Sequence, residues 1–126
     1  MGSNQDSKLT KEISDLKLND IYDLAGRTSL EEAVDLLSAA SYVVSNDSGL
    51  MHVAAAVDTP IIAIYGSTSP RINPPLSPQA TVLWNNLSCS PCNQRICPLD
   101  HTNCLQKLDV DSVTEVLSTY KPSPLH

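Results

Sequence analysis

Asn46-Asp47-Ser48-Gly49 stands where the β-branched run Tyr42-Val43-Val44 gives way to an apolar stretch ending near Val57. These are helix-starting residues, and a strand-to-helix turn in an open α/β sheet lies beyond the carboxyl ends of the strands. There the free N–H groups and partial positive charge of a helix amino terminus receive anions. Gly49 lets a bulky anion approach, and the Ser48 hydroxyl with the N–H groups of Ser48, Gly49 and Leu50 could donate to a diphosphate. His52, four residues after Ser48, falls one helical turn deeper on the same side. Protonated it adds charge, and neutral it still supplies one donor. Asp47 would repel a phosphate unless it faces away, which suits it to sugar hydroxyls or to a helix cap. A plainly structural reading fits the same residues: Asp47 or Ser48 as a simple N-cap, Gly49 at a crowded crossing, His52 as a satisfied core histidine.

A second constellation is C-x2-C-x4-C-x6-C, formed by Cys89, Cys92, Cys97 and Cys104, with His101 as a possible fifth ligand. Two residues between the first thiols match zinc-knuckle spacing, while the remaining intervals are looser than in a zinc ribbon. Structural zinc at the four cysteines, an iron–sulfur cluster, and free or bridged thiols all remain open. None of these would make the segment catalytic. General acid–base chemistry needs a placed carboxylate or imidazole, and only Asp47 and His52 lie near the proposed ligand. Glu31, Glu32 and Asp35 read as a solvated helix face, and Asp100 and His101 as loop polar groups.

The elements that must position these residues follow from periodicity. Leu9 and Ile13 make one stripe on a short helix over Asp6 to Asp15, capped by Asp6 or Ser7. Ile21 to Leu24 reads as a brief strand ending at Ala25-Gly26. Ser29 and Glu32 form a capping-box pattern for a helix to about Ala40, with Leu30, Ala33, Val34 and Leu37 inward. Tyr42 to Val44 is a strand, and a nearly all-apolar helix runs from Ser48 or Gly49 to about Val57. Ile61 to Tyr65 is apolar without alternation, as a central parallel strand is. Four prolines between Ser67 and Pro78 exclude a long regular element there. Ala80 to Trp84 is the last strand, and Val110, Val113, Val116 and Leu117 mark a closing helix capped by Asp109 or Asp111. The expected fold is α/β: a partial, Rossmann-like parallel sheet with flanking helices. Residues 1–120 read as one partial domain containing a Cys-rich loop at 87–105, and 121–126 as a frayed tail.

Bulk properties narrow the function. The 126 residues allow one core, and 41% hydrophobic with 17% charged residues is ordinary for a globular chain. With a net charge of −6 and eight scattered Lys and Arg, there is no basic stripe for nucleic acid. No apolar run reaches the ~20 residues of a transmembrane helix, and MGSNQDSK lacks the core of a signal peptide, so a cytoplasmic address is expected.

The run LAGRTSLEEAVDLLSAASYVVSNDSGLMHVAAAVDTPIIAIYGSTSP, Leu24 to Pro70, resembles the core of the ADP-heptose:lipopolysaccharide heptosyltransferases of glycosyltransferase family 9. NDSGLMHVAAA is close to that family's most recognisable block. The likeness continues through PPLSP, and CSPCNQRICPLDHTNCL is similar to the cysteine-rich carboxyl segment of the family's heptosyltransferase II branch. It implies the carboxyl-terminal portion of a two-domain GT-B enzyme, whose carboxyl domain holds ADP-heptose and whose amino domain holds the lipopolysaccharide core acceptor. By matching position, Asp47, Ser48, Gly49, Leu50 and His52 would bind the donor diphosphate and heptose, Thr28 would pack adenine, and Gly66 and Ser67 would border the cleft. The implied reaction needs no cofactor and inverts the anomeric carbon at the cytoplasmic face of the inner membrane. The family's glycine-rich opening loop, its base carboxylate and the basic residue opposite the diphosphate have no counterpart here, so the isolated chain is expected to be inactive and to self-associate through an exposed sheet edge. The alternative is a non-catalytic α/β module that binds ADP or a metal.

Overall fold

A computed structural model describes residues 1–16 and 20–120; the tail expected to fray, 121–126, lies outside them. The elements are α1 (Ser7–Ser14), α2 (Leu30–Ala39), β1 (Val43–Asn46), α3 (Gly49–Ala56), β2 (Ile61–Tyr65), β3 (Ala80–Trp84), α4 (Asn103–Gln106) and α5 (Val110–Thr119). The chain divides into two compact units, Met1–Asp35 and Leu36–His126, with the boundary inside α2.

In the first unit a 3-10 turn, Asn4–Asp6, precedes α1, and its cap is Ser3, reciprocally bonded with Asp6. Asp6 stands at the N-cap position of α1, as expected, but makes no side-chain cap bond there, its carboxylate being taken by Ser3. The α1 stripe is not buried, with Leu9 61% and Ile13 48% exposed. Ile21 to Leu24 is not a strand. Asp23 Oδ1 takes the N–H of Ala25 at 3.0 Å, closing a local turn that Gly26 completes at φ +66. The same backbone hydrogen bond holds the half-buried Asp23 carboxyl below its ordinary range. Before α2 the capping box forms as the sequence requires: Ser29 N–H donates to Glu32 Oε2 at 2.7 Å and Glu32 N–H to Ser29 Oγ at 3.2 Å. Of the residues expected inward, Ala33 and Leu37 are buried, Val34 is half-buried and Leu30 is exposed.

The second unit holds a three-stranded parallel sheet in the order β1-β2-β3, one strand fewer than expected. Val43 pairs with Ile61, and Ile61 with Ala80, so all three strands run the same way and end at one edge. β2 is central, which is why its apolar run does not alternate: Ile61, Ile62, Ala63 and Tyr65 are all fully buried. α3 packs on one face of the sheet and contributes Met51, Ala54 and Ala55 to the core that Ile61, Ala63 and Tyr65 complete. At the start of β2, the buried Thr59 hydroxyl donates to the Leu37 carbonyl at 2.8 Å and so satisfies one of the last acceptors of α2. α5 is capped by Asp109, whose carboxylate accepts from Asp111 N–H. The architecture is the expected parallel α/β sheet with flanking helices.

Candidate functional site

The common carboxyl edge of the strands is built from three successive chain exits. β1 leaves through Asp47 and Ser48 into α3, β2 through Gly66 and Ser67, and β3 through Asn85. Asp47 remains tied to the sheet, its N–H donating to the Ile64 carbonyl at 3.3 Å. Ser48 follows in extended backbone, φ −155 and ψ 167, the usual conformation of an N-cap.

Yet Ser48 does not cap. Its side chain makes no cap bond to the first amides of α3, and among the described residues no other side chain does; the Ser48 hydroxyl lies instead 3.3 Å from that of Ser45. The Ser48 carbonyl already takes the N–H of Met51, which leaves the amides of Gly49 and Leu50 to an acceptor from outside the helix. Gly49 is exposed, and a Cβ built on it would meet nothing within 4 Å. The approach to these amides is therefore open, so neither the simple-cap nor the crowded-crossing reading describes the turn. Leu50 is half-buried and packs on the core while its amide stays at the mouth. His52 is half-buried one turn further along α3. Thr28 is half-buried in the first unit, ahead of Ser29 and α2.

Beneath the turn lies Tyr65, fully buried at the end of β2. Its hydroxyl donates to the Asn73 carbonyl and touches Met51 Sδ at 3.6 Å. It thereby ties the proline-rich loop after β2 to the first turn of α3. Burial, with the neighbouring Asp47 carboxylate as a smaller cause, pushes the Tyr65 phenol up to about 12. Arg71, on the same loop, stacks over Trp84 at 5.7 Å. The Asn85 amide nitrogen is buried without an acceptor among the described residues. Spacing alone did not reveal Tyr65, Arg71 or Asn85, because their roles come from the strand register that aligns three separate exits.

The cysteine segment closes against the same edge. Ser90 Oγ donates to the Gly66 carbonyl at 2.6 Å, and Asn93 N–H to the Ser67 carbonyl at 2.8 Å. A Cβ on Gly66 would come within 2.7 Å of Leu105 Cγ, so this glycine is small because α4 lies directly on it. Cys89, Cys92, Cys97 and Cys104 are free, half-buried thiols, and all four line one small cavity with His101. Of the alternatives the spacing left open, neither structural zinc nor an iron–sulfur cluster is supported by this arrangement. Among the described residues no three Cys, His, Asp or Glu side chains converge closely enough to hold a metal ion. The cysteines enter from separate stretches and stand along the cavity walls, and His101 Nδ1 is occupied by the N–H of Asn103 at 3.1 Å.

A family model described as glycosyltransferase family 9 (heptosyltransferase) matches residues 1–103. The chain belongs to this family. Lipooligosaccharide heptosyltransferase 2 of Haemophilus influenzae is 62% identical over 60 residues, which cover 48% of this chain and 17% of that protein. Lipopolysaccharide heptosyltransferase 2 of Escherichia coli is 55% identical over 60 residues with the same coverage. The structure of E. coli ADP-heptose lps heptosyltransferase II superposes with a TM-score of 0.64 at 38% identity, covering 84% of this chain and 34% of that one. A family 9 glycosyl transferase from Veillonella parvula gives a TM-score of 0.61 at 26% identity, over 65% of this chain and 24% of that one. The chain thus spans about a third or less of the length of the proteins it matches. Its parallel α/β sheet with flanking helices is of the same fold class as these family 9 structures. No helix among the described residues is long and apolar enough to cross a membrane.

Proposed function

We propose that this chain supplies the donor-binding portion of a heptosyltransferase, and that the turn from Asp47 to Leu50, with His52, receives the diphosphate and heptose of ADP-heptose. One observation carries the reading: a turn with capping composition leaves its helix amides uncapped and its approach open at Gly49. Oriented N–H groups at a helix terminus stabilise an anion without reorganising when charge develops on it. In the complete reaction a hydroxyl of the lipopolysaccharide inner core would attack the anomeric carbon of the heptose. The bond to the ADP oxygen breaks in the same displacement, with inversion, and the departing diphosphate charge falls on the α3 amides. His52 adds a donor, and Asp47 takes sugar hydroxyls.

Thr28 is assigned to adenine from the family motif alone and is tested separately by Thr28→Ala. The reaction belongs at the cytoplasmic face of the inner membrane, where the lipid-linked acceptor is presented. It requires no metal or organic cofactor in this reading. The 126-residue chain is expected to bind ADP weakly and to transfer no heptose, since loss of a positioned base alone costs ~10²–10⁴ in rate. Incubation with ADP-heptose and a core acceptor, followed by mass analysis of the acceptor, tests this. Heptose transfer by the chain alone would contradict it and direct attention to Asp47, His52 and Asp100 as candidate bases.

A further inference from the structure

The acidic residues of the chain are unevenly placed, and the gap coincides with apolar side chains that stand out of the surface. No Asp or Glu occurs from Thr59 to Leu99, although the whole chain holds 14 against eight Lys and Arg. Arg71 and Arg95 are the only charged side chains in that stretch; both are exposed, and each is followed by an isoleucine. Ile96 at 83% and Leu76 at 82% are the most exposed large apolar residues among those described, and Ile72 and Leu99 follow at 71% and 57%. The loops that carry them are held. Buried Ser69 takes the N–H of Arg71 on its hydroxyl and those of Ile72 and Asn73 on its carbonyl, and Tyr65 holds the Asn73 carbonyl. The second loop is fastened to the first: Asn93 N–H donates to the Ser67 carbonyl at 2.8 Å, and Trp84, under Arg71, donates its indole N–H to Ser90 at 3.4 Å.

We propose that these two loops form a docking face for a bilayer that contains anionic lipid. Ile72, Leu76, Ile96 and Leu99 enter the boundary between headgroups and acyl chains, and Arg71 and Arg95 meet the headgroup phosphates. Interfacial binding of this kind adds buried apolar area to the attraction of cations by anionic lipid. Arginine suits both parts, because its stem lies along apolar surface while its guanidinium takes two phosphate oxygens. A carboxylate beside it would work against that attraction, and this stretch has none. Apolar side chains standing out from separate loops also favour lipid over protein. A protein partner must offer a shaped recess to each of them, whereas a fluid bilayer accepts them in any arrangement. The face goes beyond the donor reading: it lies at the same end of the sheet as the α3 turn but uses none of that turn's groups.

Flotation of the whole chain with vesicles of phosphatidylcholine, alone or mixed with phosphatidylglycerol, tests the face. The chain should float with the mixed vesicles, float less with phosphatidylcholine alone, and be released as salt is raised. Each arginine contributes about fivefold to the partition, so Arg71→Gln combined with Arg95→Gln should lower it at least about tenfold. Leu76→Ser combined with Ile96→Ser should lower it too, and Gly49→Asp should float as wild type does even if ADP binding proves absent from both. A footprint on the unmutated chain removes any dependence on how a variant folds. An arginine-selective dicarbonyl reagent should be slowed by the mixed vesicles at Arg71 and Arg95 but not at the exposed Arg27 of the first unit. No flotation, flotation unchanged in the arginine pair, or equal protection of Arg27 would each overturn the proposal. So would self-association without lipid that the same substitutions abolish, since a second copy of the chain would then be the occupant of this face.

Discussion

At the residue scale the account turns on which polar groups are already engaged. Tyr65 is engaged twice, by Asn73 and Met51, and its hydroxyl is out of solvent. Its folded value of about 12 lies above the unfolded value of 10.0, so the neutral phenol is the form the fold stabilises. This contribution is complete below pH 10 and is lost as pH rises toward 12, amounting to about 2–3 kcal/mol over two pH units. Denaturant unfolding at a series of alkaline pH values should therefore show the wild type losing stability more steeply than Tyr65→Phe. At neutral pH the variant should be weaker by about 1 kcal/mol, the hydrogen bond it lacks. Parallel alkaline profiles for the two proteins would refute the placement of this phenol. The capping chemistry of Asn46 to Gly49 was visible from residue type. That Ser48 fails to cap was not, because it depends on Ser45 offering its hydroxyl a partner across the turn.

At the element scale, the legible pieces are those whose signal is local and repeated. β2 and β3 fall on the residues the apolar runs mark, and α2 begins where Ser29 and Glu32 say it should. Ser29→Ala should cost about 1 kcal/mol of stability, seen as a lower thermal midpoint with an unchanged fold by circular dichroism. A midpoint equal to wild type would mean that the capping box contributes nothing. Ile21 to Leu24 misled for a physical reason: Asp23 captures the backbone of Ala25, and Tyr22 is 80% exposed, so the strand signal of this short stretch lost to local turn bonding. The C-x2-C spacing misled differently. Sequence spacing describes two thiols, whereas a metal needs three or four directions to converge, and those are set by how the 89–92 loop, the 97–102 turn and α4 meet.

At the scale of the whole molecule, the sheet in the second unit is narrow. β1 and β3 are both outer strands, and Val44 and Val82 on them are 48% and 40% exposed. Unpaired strand edges beside apolar side chains invite pairing with another chain. We therefore expect concentration-dependent self-association, measurable as a rising sedimentation coefficient, and a purely monomeric boundary at high concentration would exclude it.

The central claim is that the open amides of α3 bind the diphosphate, and calorimetric titration of ADP into wild type and Gly49→Asp tests it most directly. Position 49 tolerates a side chain, since nothing lies within 4 Å of an added Cβ, and a carboxylate in the first turn of a helix does not oppose its formation. The variant should fold as wild type does while placing negative charge where the diphosphate must sit. The account predicts a weak, saturable heat for wild type and at least about tenfold weaker binding for Gly49→Asp. Equal binding by both proteins, or binding by neither, would contradict it.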